Sequence, residues 1–311
     1  MTESSVKRSK RNKTITVSES EALGLGVGIL TPDALEGVLS FADTLVNGDL
    51  LEVLDKLPDG FADLAIVDPP YNLSKRFGST GFSAMPSGRY EDYLRTWFRF
   101  VCAKLRPDGS LYLCGDWRSS SSLQRVMEEE LTVMNRITWQ REKGRGASAN
   151  WKNGMEDIWF GVKDPERYYF DLDAVKLRRR VLAPYREDGR PKDWKDSPEG
   201  PFRMTCPSNF WDDISVPFWS MPENTEHPAQ KPEKLMAKLI LASCPPGGVV
   251  FDPFSGTGAA CVTAKKLGRH YVGVEIDRSY CLVAAKRLKM ADTDRRIQGY
   301  RDGCFRERNS G

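Results

Sequence analysis

The segment Asp68-Pro69-Pro70-Tyr71 combines a carboxylate, a rigid backbone carbonyl and an aromatic ring. It follows an apolar run at residues 64–67, whose length is typical of a buried strand. Because two consecutive prolines cannot continue a helix or a central strand, the chain must leave the sheet at this point. Ligands bind at this carboxyl edge in open α/β sheets. The set suits a flat heterocycle with an exocyclic amine, and a proline-stiffened turn is the alternative interpretation.

A glycine-rich turn, FDPFSGTG at residues 251–258, lies between an apolar run and a helical pattern. A strand, a turn and a helix N-terminus in succession form a cradle for nucleotide-like ligands. A further apolar run ends at Glu275, at the spacing of an acid that binds ribose hydroxyls. The turn is neither GxGxxG nor GK[ST], which argues against dinucleotides and nucleoside triphosphates. A cofactor with a nucleoside but no phosphate fits best, typically S-adenosylmethionine, and an ordinary βαβ turn is the alternative.

A third motif, EHPAQKPEK at residues 226–234, directly precedes a predicted helix. Pro232 falls in the first turn, where helices accept proline. Lys231 at the helix N-terminus would meet a carboxylate, such as that of the methionine part of the cofactor. His227 is equally compatible with an ordinary structural histidine.

The composition restricts the class of protein. The chain has 311 residues, 40% hydrophobic and 29% charged, and its net charge of +3 permits a nucleic-acid partner without requiring one. Its seven cysteines form no CxxC pair and it has two histidines, which argues against a metal site. No apolar stretch approaches a membrane span, and the N-terminus lacks a signal-peptide core. We expect a cytoplasmic protein with reduced thiols and no metal.

Short apolar runs alternate with helical patterns, which is typical of a mostly parallel sheet covered by helices. The predicted strands lie at residues 44–46, 64–67, 110–114, 136–139, 158–162, 249–251 and 271–275. The predicted helices lie at residues 90–105, 121–129, 232–243, 258–267 and 278–288. Residues 163–225 break this rhythm and indicate an inserted module or long functional loops.

These motifs, in this order, resemble β-class amino-methyltransferases of DNA from bacterial restriction–modification systems. The resemblance covers about residues 43–288, with DPPY first and FxGxG last. It implies a circularly permuted S-adenosylmethionine-dependent methyltransferase fold, a mostly parallel seven-stranded α/β sheet with helices on both faces and an inserted target-recognition region. Composition predicts a flexible basic arm (1–20) and a charged, poorly packed tail (292–311). Between them we expect a catalytic half (21–162), the target-recognition region (163–225) and a cofactor-binding half (226–291).

The resemblance also implies how the cofactor is held. It places Asp49 near the cofactor adenine and Glu275 on its ribose, with Asp68 bordering the same pocket. The glycines of the turn are Gly256 and Gly258, and the residues implied around the methionine part are His227, Lys231, Asp252, Phe254, Ser255 and Thr257. Ala259-Ala260 replaces a Thr-Thr pair that relatives often carry.

The implied reaction is site-specific methyl transfer to the exocyclic N6 of an adenine flipped out of the DNA duplex. Asp68 and the Pro69 carbonyl would accept the amine hydrogens and aim the lone pair at the methyl group, while Tyr71 would stack on the base. Within the family DPPY usually accompanies adenine and SPPY cytosine N4, so Asp68 favours adenine. The alternatives are a DNA cytosine-N4 methyltransferase and, less favoured, a methyltransferase of RNA or protein amines.

Two basic segments are candidates for contact with DNA. Residues 141–152 mix basic, glycine and aromatic residues, and residues 176–180 form a denser basic run, for which a solvated surface is the alternative. The candidate residues are Arg141, Lys143, Arg145, Asn150, Trp151, Lys152, Arg178 and Arg179. The resemblance further implies a homodimer and, in some systems, a cognate restriction endonuclease.

Overall fold

A computed structural model describes residues 9–36, 40–77, 80–141, 149–182 and 185–306. The strands, numbered along the chain, are β1 (Ile29–Leu30), β2 (Thr44–Asn47), β3 (Ala62–Val67), β4 (Lys75–Phe77), β5 (Thr80–Phe82), β6 (Leu105–Gly115), β7 (Thr132–Gln140), β8 (Met155–Val162), β9 (Leu177–Arg180), β10 (Arg186–Glu187), β11 (Arg190–Pro191), β12 (Phe202–Thr205), β13 (Phe210–Trp211), β14 (Val249–Asp252), β15 (His270–Glu275), β16 (Tyr300–Arg301) and β17 (Cys304–Arg306). The α-helices are α1 (Glu19–Gly26), α2 (Leu50–Lys56), α3 (Ser87–Ala103), α4 (Ser120–Glu128), α5 (Glu233–Ser243), α6 (Ala259–Lys266) and α7 (Arg278–Met290), and 3-10 turns occupy Pro32–Leu35 and Asp173–Val175. Among these residues, no helix combines the length and apolar character that crossing a membrane requires.

The central sheet has the strand order β1-β2-β15-β14-β3-β6-β8-β7-β13. Neighbours from β1 to β6 in this order are parallel, whereas β8 is antiparallel to both β6 and β7. Between the short edge strands β1 and β13 lie seven longer strands, and each contains one predicted strand. The strands that flank the glycine-rich turn come late in the chain yet lie in the middle of the sheet. The predicted permuted, mostly parallel fold is confirmed.

Successive side chains of each strand point to opposite faces of the sheet, and helices cover both faces. In β3, Leu64 and Ile66 join the core that includes residues of α5, α6 and α7, while Ala65 and Val67 join the core that includes α2, α3 and α4. The predicted helices correspond to α3 to α7, but α1 and α2 have no predicted counterpart. Helix α1 buries none of its residues and therefore lacks the apolar periodicity that sequence patterns detect.

The expectation of a flexible arm over residues 1–20 is wrong for residues 9–20, while residues 1–8 lie outside the described part of the chain. The Lys13 N–H donates to the Trp219 carbonyl at 2.7 Å, and the Ile15 N–H donates to Asn224 at 2.8 Å. Ile15 is buried, and Ser18 forms a capping box that starts α1. Backbone pairing with distant residues thus fixes this segment despite its polar composition.

The expectation of a poorly packed tail over residues 292–311 is wrong for residues 292–306. Strand β17 lies beside β9 in a second, four-stranded sheet with the order β12-β9-β17-β16. Phe305 is fully buried in a cluster with Ala237 and Leu241 of α5. The Lys234 ammonium also donates to the Arg306 carbonyl at 2.6 Å. The sequence did not indicate this packing, because the few apolar residues of the tail that are buried stand among many charged residues.

We expect Phe305→Ala to lower the free energy of unfolding by about 3–5 kcal/mol, because it empties a fully buried aromatic site. Chemical denaturation followed by circular dichroism measures the loss. Phe100→Ala is the matched control, since Phe100 is 37% exposed and should cost at most about 1 kcal/mol. Equal, small losses for the two variants would show that the C-terminal strand does not pack as described.

Candidate active site

The loop that follows β3 is held by hydrogen bonds from three directions. Tyr90 donates its hydroxyl to the Pro70 carbonyl at 2.9 Å. The Asn72 side chain accepts from the Met85 N–H at 2.8 Å and donates to the Met85 carbonyl at 2.7 Å. The Asn72 N–H donates to the Ser119 hydroxyl at 3.2 Å. These bonds fix the acceptors of the DPPY segment on a rigid support.

The Asp68 carboxylate belongs to a largely buried ion network. Lys231 Nζ donates to Asp68 Oδ2 at 2.6 Å and lies 3.4 Å from Glu156 Oε2. The Tyr71 hydroxyl donates to Asp68 Oδ1 at 2.8 Å, and Arg141 donates to Glu156 Oε1. Burial disfavours the charge on Lys231, but the carboxylates of Asp68 and Glu156 outweigh it and raise the lysine pKa. Both oxygens of Asp68 therefore have a partner within the protein.

The glycine-rich turn after β14 requires glycine at two positions. Gly256 and Gly258 have φ angles of +51° and +77°, in the left-handed region that other residues rarely adopt. A Cβ atom on Gly258 would lie 2.9 Å from the Ala284 Cβ, and one on Gly256 would lie 3.3 Å from the His227 ring. The turn is therefore packed closely against both α7 and the His227 loop.

Two further acidic residues lie at the same edge of the sheet. The carboxylate of Glu275, at the end of β15, accepts the N–H groups of Gly256 and Asp277, each at 2.8 Å. Burial raises the pKa of Glu275, although these backbone bonds oppose the shift. Asp49 caps α2 at the end of the neighbouring strand β2, and the Gly48 N–H bonds the Glu275 carbonyl at 3.1 Å. Asp49 and Glu275 thus lie on adjacent strand ends.

The cradle contains polar groups that suit a ligand with a nucleoside and an amino-acid part. Ser255 Oγ is buried and has no hydrogen-bond partner among the described residues, which is rare in native structures. Asp252 is also buried, and burial raises its pKa to about 8. Phe254 packs edge-on against Trp97, with ring centroids 4.9 Å apart. Asp252, Phe254 and Ser255 thus lie in or beside the glycine-rich turn, and the unpartnered Ser255 hydroxyl suits a polar ligand.

His227 lies between this turn and α7. Its ring contacts Tyr280 edge-on at 4.5 Å, and its Nδ1 accepts the Ala229 N–H at 3.3 Å. Burial lowers the pKa of His227 to about 4, against the opposing effect of Asp68. The imidazole is therefore neutral at physiological pH, and its ring packs against Gly256.

The first group of predicted DNA contacts begins at Arg141, directly after β7. Trp151 is 94% exposed, and Asn150 and Lys152 are also exposed. Lys143 and Arg145 lie outside the described residues. The Trp151 ring is therefore accessible to a binding partner.

The second group lies on β9 of the four-stranded sheet, whereas Arg141 follows a strand of the central sheet. Arg178 has partners within the protein, since it bonds Ser197 at 2.8 Å, pairs with Glu199 and stacks on Phe202. Arg179 is exposed. Of the two arginines, Arg179 has the side chain directed to solvent.

Glu156 was missed by sequence reasoning although it lies in the centre of the ion network. It is 4% exposed and precedes Asp157, which accepts hydroxyl donors from Ser120 and Thr138. Two consecutive acids at the start of an apolar run, residues 158–162, were the available signal. Buried carboxylates need partners, and the pairing with Lys231 is visible only once β8 lies beside β6.

A permuted α/β sheet that places a DPPY loop beside a glycine-rich turn is the arrangement expected of a methyltransferase of amino groups. Residues 62–286 match the family of N6 and N4 amino-methyltransferases described as DNA methylase. The chain belongs to this family: it is a DNA methyltransferase of the kind found in restriction–modification systems, and its methyl donor is S-adenosylmethionine.

Individual relatives agree with this assignment. The chain is 32% identical over 260 residues to the DNA adenine methyltransferase YhdJ of Escherichia coli strain K12, covering 80% of this chain and 84% of that protein. The solved PvuII cytosine-N4-specific DNA methyltransferase superposes with a TM-score of 0.58 at 19% identity, over 78% of this chain and 84% of that one. The solved complex of M1.HpyAVI with S-adenosylmethionine superposes with a TM-score of 0.54 at 20% identity, over 84% of this chain and 98% of that one. Both structural likenesses show the shared fold.

We expect the His227 imidazole to titrate with a pKa of about 4 rather than 6.5. Between these pH values the unfolded chain binds more protons than the folded one, so acidification through this range lowers the free energy of unfolding. NMR of the imidazole C–H signals measures the midpoint. His270→Gln leaves one histidine and so assigns the signal, and a midpoint near 6.5 would show that the ring is hydrated.

Proposed function

We propose that this DNA methyltransferase modifies the exocyclic N6 of an adenine that has left the duplex. The observation that carries the proposal is the aspartate at position 68, an anionic acceptor fixed at the end of β3 beside the glycine-rich turn. In the family, an aspartate here usually accompanies adenine and a serine cytosine N4. The relative YhdJ is named a DNA adenine methyltransferase, which supports the same target.

The amine is a poor nucleophile because its lone pair is delocalised into the ring. Asp68 and the Pro69 carbonyl would accept its two hydrogens and so direct the lone pair away from the ring plane. A single fixed hydrogen-bonding group in an oxyanion hole lowers the barrier by about 3–4 kcal/mol, and we expect a similar magnitude for Asp68. Bound S-adenosylmethionine supplies the methyl group on its sulfonium sulfur. Pro70 stiffens the loop, and Tyr71 would stack on the flipped base.

We also assign the cofactor contacts as a proposal. Glu275 would bind the ribose hydroxyls, and Asp49 the adenine, at neighbouring strand ends. Ser255 is the natural donor to the methionine part because its buried hydroxyl lacks a partner among the described residues. The remaining proposed contacts are Asp68, His227, Lys231, Asp252, Phe254, Gly256, Thr257 and Gly258.

Recognition of the DNA sequence is proposed for residues 163–225, between a catalytic half at 21–162 and a cofactor half at 226–291. Because β16 and β17 complete the sheet of β9 and β12, the C-terminal residues 300–306 would belong to the same unit. The proposed DNA contacts are Arg141, Lys143, Arg145, Asn150, Trp151, Lys152, Arg178 and Arg179. A homodimer and a cognate endonuclease remain proposals supported by the resemblance alone.

The target base is tested by incubating the purified protein with duplex DNA and labelled S-adenosylmethionine. We expect the digested DNA to contain N6-methyladenine, because the amine acceptor is an aspartate. Mass spectrometry of the nucleosides separates it from N4-methylcytosine, and long-read sequencing of DNA from expressing cells gives the recognition sequence. Finding only N4-methylcytosine, or methylation of RNA or protein but not DNA, would overturn the assignment.

The role of Asp68 is tested by Asp68→Asn, which keeps the shape but removes the anionic acceptor. We expect turnover to fall about 10²–10³-fold while calorimetry still detects binding of S-adenosylmethionine. Asp92→Asn is the control, since Asp92 lies on the exposed face of α3 and pairs with Arg95. If the Asp68 variant is folded and methylates DNA at the normal rate, the proposed role of Asp68 is wrong.

A further inference from the structure

Four side chains of alternating charge, here called the charge ladder, connect the proposed DNA-contact segment with the proposed catalytic carboxylate. Its order is Arg141, Glu156, Lys231 and Asp68. Arg141 donates to Glu156 Oε1, whereas Lys231 Nζ lies 3.4 Å from Glu156 Oε2 and 2.6 Å from Asp68 Oδ2. The side chains of Glu156 and Lys231 are each 5% exposed. Lys231 therefore pairs with both carboxylates but lies closer to Asp68 than to Glu156.

This sharing opposes the proposed role of Asp68 as an amine acceptor. Lys231 occupies one oxygen of Asp68 and the Tyr71 hydroxyl the other. A carboxylate has further lone pairs, but an ammonium at 2.6 Å draws off the negative charge that an amine hydrogen would seek. A shift of Lys231 towards Glu156 would restore that charge without a movement of the backbone.

Arg141 controls how strongly Glu156 can attract Lys231. Its guanidinium pairs with Glu156 but is 31% exposed, and its Nε is buried without a hydrogen-bond partner among the described residues. Arginine binds phosphate with two parallel N–H groups, so a DNA phosphate would compete for this side chain. Without Arg141, the buried Glu156 carboxylate keeps the longer contacts, with Lys231 Nζ at 3.4 Å and the Tyr71 hydroxyl at 3.3 Å. A closer approach of the lysine would then compensate for the lost cation.

We propose that Glu156 is a positioning residue that couples the capture of a DNA phosphate by Arg141 to the release of Asp68 from Lys231. The proposal rests on the proposed role of Asp68. In the absence of DNA the ladder holds Asp68 neutralised. When Arg141 turns to DNA, Lys231 moves to Glu156 and Asp68 becomes available to the target amine.

Glu156→Gln tests the ladder because it removes the charge and keeps the shape. Lys231 then has Asp68 as its carboxylate partner, so we expect the single-turnover methylation rate at saturating DNA to fall tenfold or more, with the KM for DNA changed less than threefold. Arg141→Gln should do the opposite, raising the KM for DNA at least fivefold while lowering the rate at saturation less than threefold. The double variant should combine the low rate of the first with the high KM of the second.

Other outcomes overturn the proposal. A purely structural ion pair predicts that either single variant lowers the rate and stability alike, and that the double variant, which restores charge balance, regains both. A normal saturated rate for Glu156→Gln also contradicts the ladder. If Glu156→Gln does not fold, the kinetic parameters of Arg141→Gln provide the test. A fall in its rate at saturating DNA with an unchanged KM for DNA overturns the coupling.

Matched controls separate this test from that of the proposed function. The surface pair Arg95 and Glu129, with Nη2 and Oε1 2.7 Å apart, gives the control variants Glu129→Gln and Arg95→Gln, which should leave both parameters unchanged. Asp68→Asn is measured alongside. If it is active, the proposed function fails and the ladder with it, whereas an inactive Asp68→Asn beside a fully active Glu156→Gln rejects the ladder alone.

Discussion

The parallel pairing of β3 with β14 is the contact on which the site depends. Val250 lies opposite Leu64 and Phe251 opposite Ala65, so residues far apart in the chain become neighbours at the centre of the sheet. The Asp63 carboxylate strengthens the junction by accepting the Val249 N–H at 2.7 Å. Because both strands point the same way, the proline loop and the glycine-rich turn leave the sheet at one edge. A slip of one residue would reverse the faces of β14 and remove its apolar side chains from their cores.

Behind the turn, buried charges connect the helices that support it. Glu233, at the start of α5, accepts from Lys266 at 2.6 Å and from Arg287 at 2.9 Å, and Arg287 also donates to the Thr257 carbonyl at 2.7 Å. Burial and the nearby Glu233 raise the pKa of Glu223 to about 7. Buried ion pairs add little net stability, because desolvation offsets their attraction. Their value here is geometric, since they hold α5, α6 and α7 in one relation to the turn.

The parts of the structure that local patterns encode were predictable. All seven long strands follow from short apolar runs, and the turn at Gly256 and Gly258 follows from its spacing after β14. Contacts between distant segments were not. Glu156 meets Lys231 only because β8 returns antiparallel beside β6, and Phe305 is buried only because β17 lies beside β9. At both termini the charged composition led to a wrong prediction of poor packing. Composition reflects the many side chains that are solvated and does not reveal the few that are buried.

Helix α5 and the residues just before it contact both the proline loop after β3 and the four-stranded sheet. Lys231, before the helix, donates to Asp68 at the end of β3. Lys234 and Lys238, further along, both pair with Asp213 at 2.8 Å, and Lys238 also lies over the ring of Phe305 in the second sheet. The second sheet is also closed by the C-terminal strands, so residues 163–225 are not a self-contained cassette. The proposed recognition unit and the proposed catalytic loop are therefore both held by contacts from one helix and the residues just before it.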